Sequence, residues 1–194
     1  KKTVSGTGAP DTDNFTFEVT GLDSIEQVEY PTNNRFTLQK DGSRVLTVIR
    51  GAQFTVKETG YPAGTYVRVS DDVDVRASKD NGQEEVEFKN HYVAPVTVQL
   101  SAQKTIINRS FKDGDAFTFA ITGNDNAPAS VTIQPTTGNG PENITFNAIS
   151  FDLTNLGGDT EKVFTYTIEE TGVQAEGVSK DTKTYVAKVT LTKD

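Results

Sequence analysis

Two stretches of the chain repeat one another in register, and this repeat restricts the fold more than any other feature. KTVSG at Lys2 and DNFTFEVTG at Asp13 return as KTIIN at Lys104 and DAFTFAITG at Asp115, both at an offset of 102 residues. FTVKETG at Phe54 returns as YTIEETG at Tyr166 at an offset of 112, so the second copy carries ten extra residues but keeps the order of landmarks. A chain of 194 residues built this way reads as two tandem domains, 1–93 and 94–194, joined around Tyr92-Val93-Ala94-Pro95.

The repeated segments alternate apolar and polar residues with a period of two. No sustained i, i+3, i+4, i+7 stripe occurs, so the expected fold class is all-β. Units of roughly 100 residues made of short strands and turns suggest two immunoglobulin-like β-sandwiches. Asp41-Gly42, Asn81-Gly82 and Asp113-Gly114 carry hairpin-turn chemistry, and TTGNGP from Thr136 to Pro141 reads as a loop within the extra length of the second copy. With 34% hydrophobic residues and no run long enough to cross a bilayer, the chain reads as soluble and globular. The sequence does not begin with methionine and carries no signal peptide, so it reads as a mature fragment.

Charge and residue usage exclude several functions. A net charge of −8 argues against binding a phosphate backbone, which needs a basic patch to release counterions. There is no cysteine and one histidine, His91, so neither a disulfide framework, a thiolate metal site nor a His-rich centre can be assembled. The acidic clusters Asp11 and Asp13, Asp71, Asp72 and Asp74, and Asp113 and Asp115 lack the spacing of an EF-hand loop and read as solvated loop charges. No metal or cofactor is expected.

Three polar residues fall on faces that should be buried. In FTVKETG, Phe54, Val56 and Glu58 share one face of a strand. In VTVQLSAQKTI, Val96, Val98, Leu100, Ala102, Lys104 and Ile106 share another, and the repeat makes Lys2 the counterpart of Lys104, with Lys1 pointing the opposite way. In EVEFKNHYV, Val86, Phe88, Asn90 and Tyr92 face inward while Glu87, Lys89 and His91 face outward. Isolated burial of charge costs several kcal/mol, so these groups must serve one another. Desolvation drives a lysine toward the neutral amine and a glutamic acid toward the neutral acid. The amine of Lys2 is then a nucleophile, the amide carbon of Asn90 an electrophile, and Glu58 a group that polarises the amide oxygen and shuttles protons to the departing ammonia. The product is an isopeptide bond, formed once. Lys104 and Glu170 repeat two of the three residues in the second copy. Turnover catalysis fits less well, because the adjacent Glu169 and Glu170 alternate to opposite faces and no other carboxylate pair is marked.

These residues resemble the backbone (major) pilins and related cell-wall surface proteins of Gram-positive bacteria, streptococcal two-domain pilins among them. FTVKETGYPAGTYV is similar to the E-box of that family, and the first-strand lysines, the FTFEVTG and FTFAITG strands and the closing FKNHY extend the resemblance over nearly the whole chain. It implies tandem sandwiches of the CnaB or pilin type, with Lys2 and Asn90 cross-linked by catalytic Glu58, and Lys104 and Glu170 as the corresponding residues of domain two. The asparagine that follows Glu58 by 32 positions has no equivalent after Glu170 within the sequence, so domain two reads as lacking its last strand: the partner of Lys104 lies beyond residue 194, a different molecule supplies the strand, or domain two forms no bond. Asn147 and Asn155 precede Glu170 and come in the wrong chain order for a closing strand. The family also implies a structural shaft subunit, polymerised covalently with other subunits by a sortase, on the cell wall or fimbrium. The alternative is a surface adhesin or stalk module that binds a host ligand. No LPXTG-like sorting signal is present, and VEYPTNN, from Val28 to Asn34, has Thr32 where an acceptor lysine is wanted; Lys79 and Lys89 are the remaining candidates.

Overall fold

The computed structural model describes residues 1–22, 27–29, 32–77 and 84–193, with only the backbone for 27–29 and Thr32. Lys79 and the Asn81-Gly82 turn lie outside the described residues. The chain divides into two compact units, Lys1–Pro95 with Asp152–Thr154, and Val96–Phe151 with Asn155–Asp194. Both are built almost entirely of strands; among the described residues the single α-helix is one turn, α1 (Leu153–Leu156).

The first unit contains β1 (Lys2–Ser5), β2 (Phe15–Thr20), β3 (Gln27–Glu29), β4 (Arg35–Leu38), β5 (Thr47–Val48), β6 (Gln53–Gly60), β7 (Tyr66–Arg68), β8 (Val73–Arg76) and β9 (Phe88–Tyr92). One sheet has the order β4-β2-β6-β8, another β1-β9-β7, and β3 pairs with β5. Alternation along β2 turns Phe15, Phe17 and Val19 inward, where they are fully buried with Val56 of β6, Tyr66 of β7 and Phe88 of β9. The first and last strands, β1 and β9, run parallel with Lys2 opposite Phe88 and Val4 opposite Asn90. Paired residues of a ladder share a face, so Lys2 and Asn90 are diagonal neighbours on the inner one.

Asp41-Gly42 forms a turn, with Gly42 N–H donating to Gln39 O, but it does not close a hairpin. Strand β4 pairs with β2, and the turn instead meets the first strand, where Lys2 N–H donates to Gly42 O at 2.8 Å. Asp113-Gly114 likewise turns the chain into the next strand, with Asp115 N–H donating to Lys112 O.

The second unit contains β10 (Val96–Val98), β11 (Ser101–Lys104), β12 (Ala116–Thr122), β13 (Val131–Ile133), β14 (Glu142–Thr145), β15 (Ile149–Phe151), β16 (Glu161–Gln174) and β17 (Thr184–Thr192). A sheet of order β13-β12-β16-β17 contributes Phe117, Phe119, Ile121, Phe164, Tyr166 and Ile168 to the core. The pairs β10 with β15 and β11 with β14 contribute Ile144, Ile149 and Phe151. VTVQLSAQKTI is therefore two strands rather than one. The ladder breaks at Gln99-Leu100, where Phe146 N–H donates to Leu100 O and Gln99 Nε2 to Phe146 O; the alternation of the face holds from Val98 through Ile106, but Val96, expected on the same face, is exposed.

Candidate functional site

In the first unit, Lys2 from β1, Glu58 from β6 and Asn90 from β9 meet inside the core. Lys2 and Asn90 are 0% exposed and Glu58 is 5% exposed. One oxygen carries the contact: Glu58 Oε1 accepts from Lys2 Nζ at 2.8 Å and from Asn90 Nδ2 at 3.1 Å. The contact to the amide thus runs through its nitrogen, whereas the sequence reading placed Glu58 on the amide oxygen. A carboxylate oxygen accepts, so it takes the NH₂ edge of the amide. Glu58 Oε2 and Asn90 Oδ1 accept no hydrogen bond from the described residues. The Lys2 ammonium lies 4.3 Å from the centroid of the Phe15 ring, a cation–π contact that no alternation argument reveals.

A β-bulge aims the glutamate. Across β2 and β6, Thr16 pairs with Gly60 and Phe17 with Glu58, so Thr59 is an extra residue that strict alternation cannot accommodate. A Cβ at Gly60 would lie 3.6 Å from the Cβ of Thr16, and the Thr59 hydroxyl donates to Thr16 O. The second copy repeats this: Thr118 pairs with Gly172 and Phe119 with Glu170, leaving Thr171 as the extra residue, its hydroxyl on Thr118 O. The shared ETG therefore encodes the bulge that follows each glutamate.

Burial pushes the Lys2 amine below its ordinary value of 10.5. The hydrogen bond and charge of Glu58 oppose that shift, and the Arg68 guanidinium adds to it. Arg68, on β7 directly opposite Asn90, places Nε 4.0 Å from Glu58 Oε2.

In the second unit Lys104 of β11 lies 2.9 Å from Glu170 Oε1 and donates to Oε2 at 3.1 Å. Its ammonium stands 4.9 Å from the Phe117 ring, the repeat counterpart of Phe15. The lysine is not closed off as Lys2 is: its side chain is 10% exposed against 0%. The reason is a cavity of about 120 Å³ beside the pair, lined by Gln103, Thr105, Asp181 and Tyr185. Here Asp181 N–H, not an asparagine amide, is the second donor to Glu170, at 2.6 Å to Oε2. Asn147 is exposed between β14 and β15, and Asn155 lies in α1.

Residues 100–194 match the model of FctA, described as the Spy0128-like isopeptide containing domain. The second domain is similar to this family, and the match supports a Gram-positive pilin with isopeptide bonds. No curated protein matches it. Among the described residues no helix is long and apolar enough to cross a membrane.

Sequence reasoning missed several roles, two of them at the lysine–glutamate pairs and others elsewhere in the two units. Phe15 and Phe117 were legible only as core positions, although the repeat aligns each of them with its lysine. Asp115, read as a solvated loop charge, is 2% exposed and gripped by the Arg109 fork at 2.8 and 2.9 Å. Its partner precedes it by six residues, a local pairing that makes burial of the carboxylate tolerable. Its counterpart Asp13 accepts from the Tyr66 hydroxyl at 2.7 Å.

Proposed function

We propose that the chain is a structural subunit of a Gram-positive pilus shaft, made of two immunoglobulin-like sandwiches, the first closed by a self-formed isopeptide bond between Lys2 and Asn90. The observation that carries this reading is Glu58 Oε1, one carboxylate oxygen in contact with both the amine and the amide nitrogen inside a closed core. Lys2 Nζ, as the free amine, attacks Asn90 Cγ, and the carbonyl pair moves onto Oδ1. Glu58 takes a proton from the attacking nitrogen and delivers it to Nδ2. The Cγ–Nδ2 bond then breaks, the carbonyl re-forms and ammonia leaves, with no change of oxidation state. Each glutamate acts once, so the chain is no turnover enzyme. Lys104 and Glu170 hold the amine and proton-shuttle places in the second domain.

A covalent tie between the first and last strands suits a shaft that bears load at a cell surface. Polymerisation would join the subunit to others through a sortase, and Lys89, exposed on β9, is the candidate acceptor among the described residues. A ligand-binding stalk module is the second reading. It is favoured by a groove of about 720 Å³ in the first unit, lined by Phe36, Leu38, Leu46, Phe54 and Val75.

Intact mass tests the cross-link. One bond lowers the mass by about 17 Da, the loss of ammonia, and peptide mapping should place it between Lys2 and Asn90. Glu58→Ala should restore the full mass. A wild-type chain at its unshifted mass would remove the basis of this reading.

A further inference from the structure

We infer that Arg68 is an electrostatic positioning residue of the first site, placing a permanent cation 4.0 Å from Glu58 so that Lys2 sheds its proton. The inference rests on the cross-linking reading and adds the route by which the buried lysine becomes a nucleophile. Lys2 has a single carboxylate partner at 2.8 Å and an aromatic face at 4.3 Å, and both favour the unreactive ammonium. A second counter-cation for Glu58 relieves that preference. Arg68 is held for this role: Nε donates to Ser70 O at 2.7 Å and Nη2 to Asp72 Oδ1 at 2.5 Å, and Nε stands 4.0 Å from Glu58 Oε2.

The charged groups at the site are Lys2 from β1, Glu58 from β6 and Arg68 from β7, with Asp72 holding Arg68 from the exposed side; β9 presents the neutral Asn90, and Lys57, next to Glu58 on β6, points to the opposite, exposed face. Lys57 reaches Asp72 at 3.7 Å. Glu58 therefore faces two cations, and the guanidinium charge opposes the ammonium form of Lys2. Arginine suits the position because it keeps its charge when partly buried, as here at 28% side-chain exposure. Among the described residues the second site has no arginine on its glutamate, whose other donor is the uncharged Asp181 N–H.

The test follows bond formation against pH. Full-length chain, recovered unfolded in urea and shown by mass to be unbonded, is diluted into buffers from about pH 5 to pH 10 and quenched in acid. The loss of ammonia between Lys2 and Asn90 is read over time. Wild type should accelerate with pH and level off once the amine is free. Arg68→Gln should move that midpoint to more alkaline pH and slow the reaction about tenfold or more near pH 7, while Arg68→Lys should recover most of the rate. A midpoint unmoved or shifted to acid in Arg68→Gln, with wild type bonding normally, overturns the inference and leaves the cross-link standing. Failure of wild type to bond under every condition overturns both. Circular dichroism of each variant separates slow chemistry from failed folding, and an Arg68→Gln chain that does not fold leaves the Arg68→Lys profile, expected within about threefold of wild type, to decide.

Discussion

Lys2 illustrates why a buried ion pair is weak evidence for stability and good evidence for chemistry. Removing Glu58 alone leaves an ammonium enclosed with no carboxylate. Glu58→Ala should therefore destabilise the first domain by roughly 3–5 kcal/mol, beyond losing the bond, as urea denaturation would show. The unreacted pair can be examined in Asn90→Ala. The folded chain holds the Lys2 proton less tightly than the unfolded chain, whose lysine titrates near 10.5. The unfolded state thus binds more protons in the window below 10.5, and stability rises with pH there. The melting temperature of Asn90→Ala should approach that of Lys2→Met/Glu58→Leu/Asn90→Ala as pH climbs from 7 toward 10. A constant gap would mean that Lys2 is not the titrating group.

Strand ends explain residues that the repeat aligns but alternation does not. Gly6, which closes KTVSG, has φ +96°, and a Cβ there would sit 2.4 Å from Tyr92 O on β9. Its counterpart Asn108 has φ 74°, and asparagine is the non-glycine residue that tolerates this region best. Gly123, at φ +124°, would press a Cβ to 2.4 Å from Thr165 O. Gly6→Ala and Gly123→Ala should each cost about 1–3 kcal/mol, the first also lowering cross-link yield because it spreads β1 from β9. Asn108→Gly should be within about 1 kcal/mol of wild type and Asn108→Val clearly worse. Thermal melts with intact mass measure both effects. The bulges at Thr59 and Thr171 belong here too: the repeated ETG shows that the turn chemistry is shared, but only pairing with β2 and β12 shows which residue is extra.

A bond from Lys2 to Asn90 closes nearly all of the first unit into one loop. If the chain-entropy account of disulfides transfers, a loop of that length contributes roughly 4.6 kcal/mol, or roughly 20 °C or more in melting temperature for a domain of this size. Calorimetry of wild type against Glu58→Ala should show one transition falling by more than that, because the enclosed ammonium adds to the loss of the link, and with it resistance to trypsin lost in residues 1–95. An unchanged upper transition would assign no stabilising role to the link. The two copies, the all-β class and the inward faces of Lys2, Glu58 and Asn90 follow from repetition and a period of two, because both are local properties written along the chain. Contact is not local. That Glu58 takes the nitrogen of Asn90, that Arg68 stands 4.0 Å from its other oxygen, and that Asp181 N–H supplies the second donor to Glu170 all depend on segments distant in sequence meeting in one register, which only the packed sheets decide.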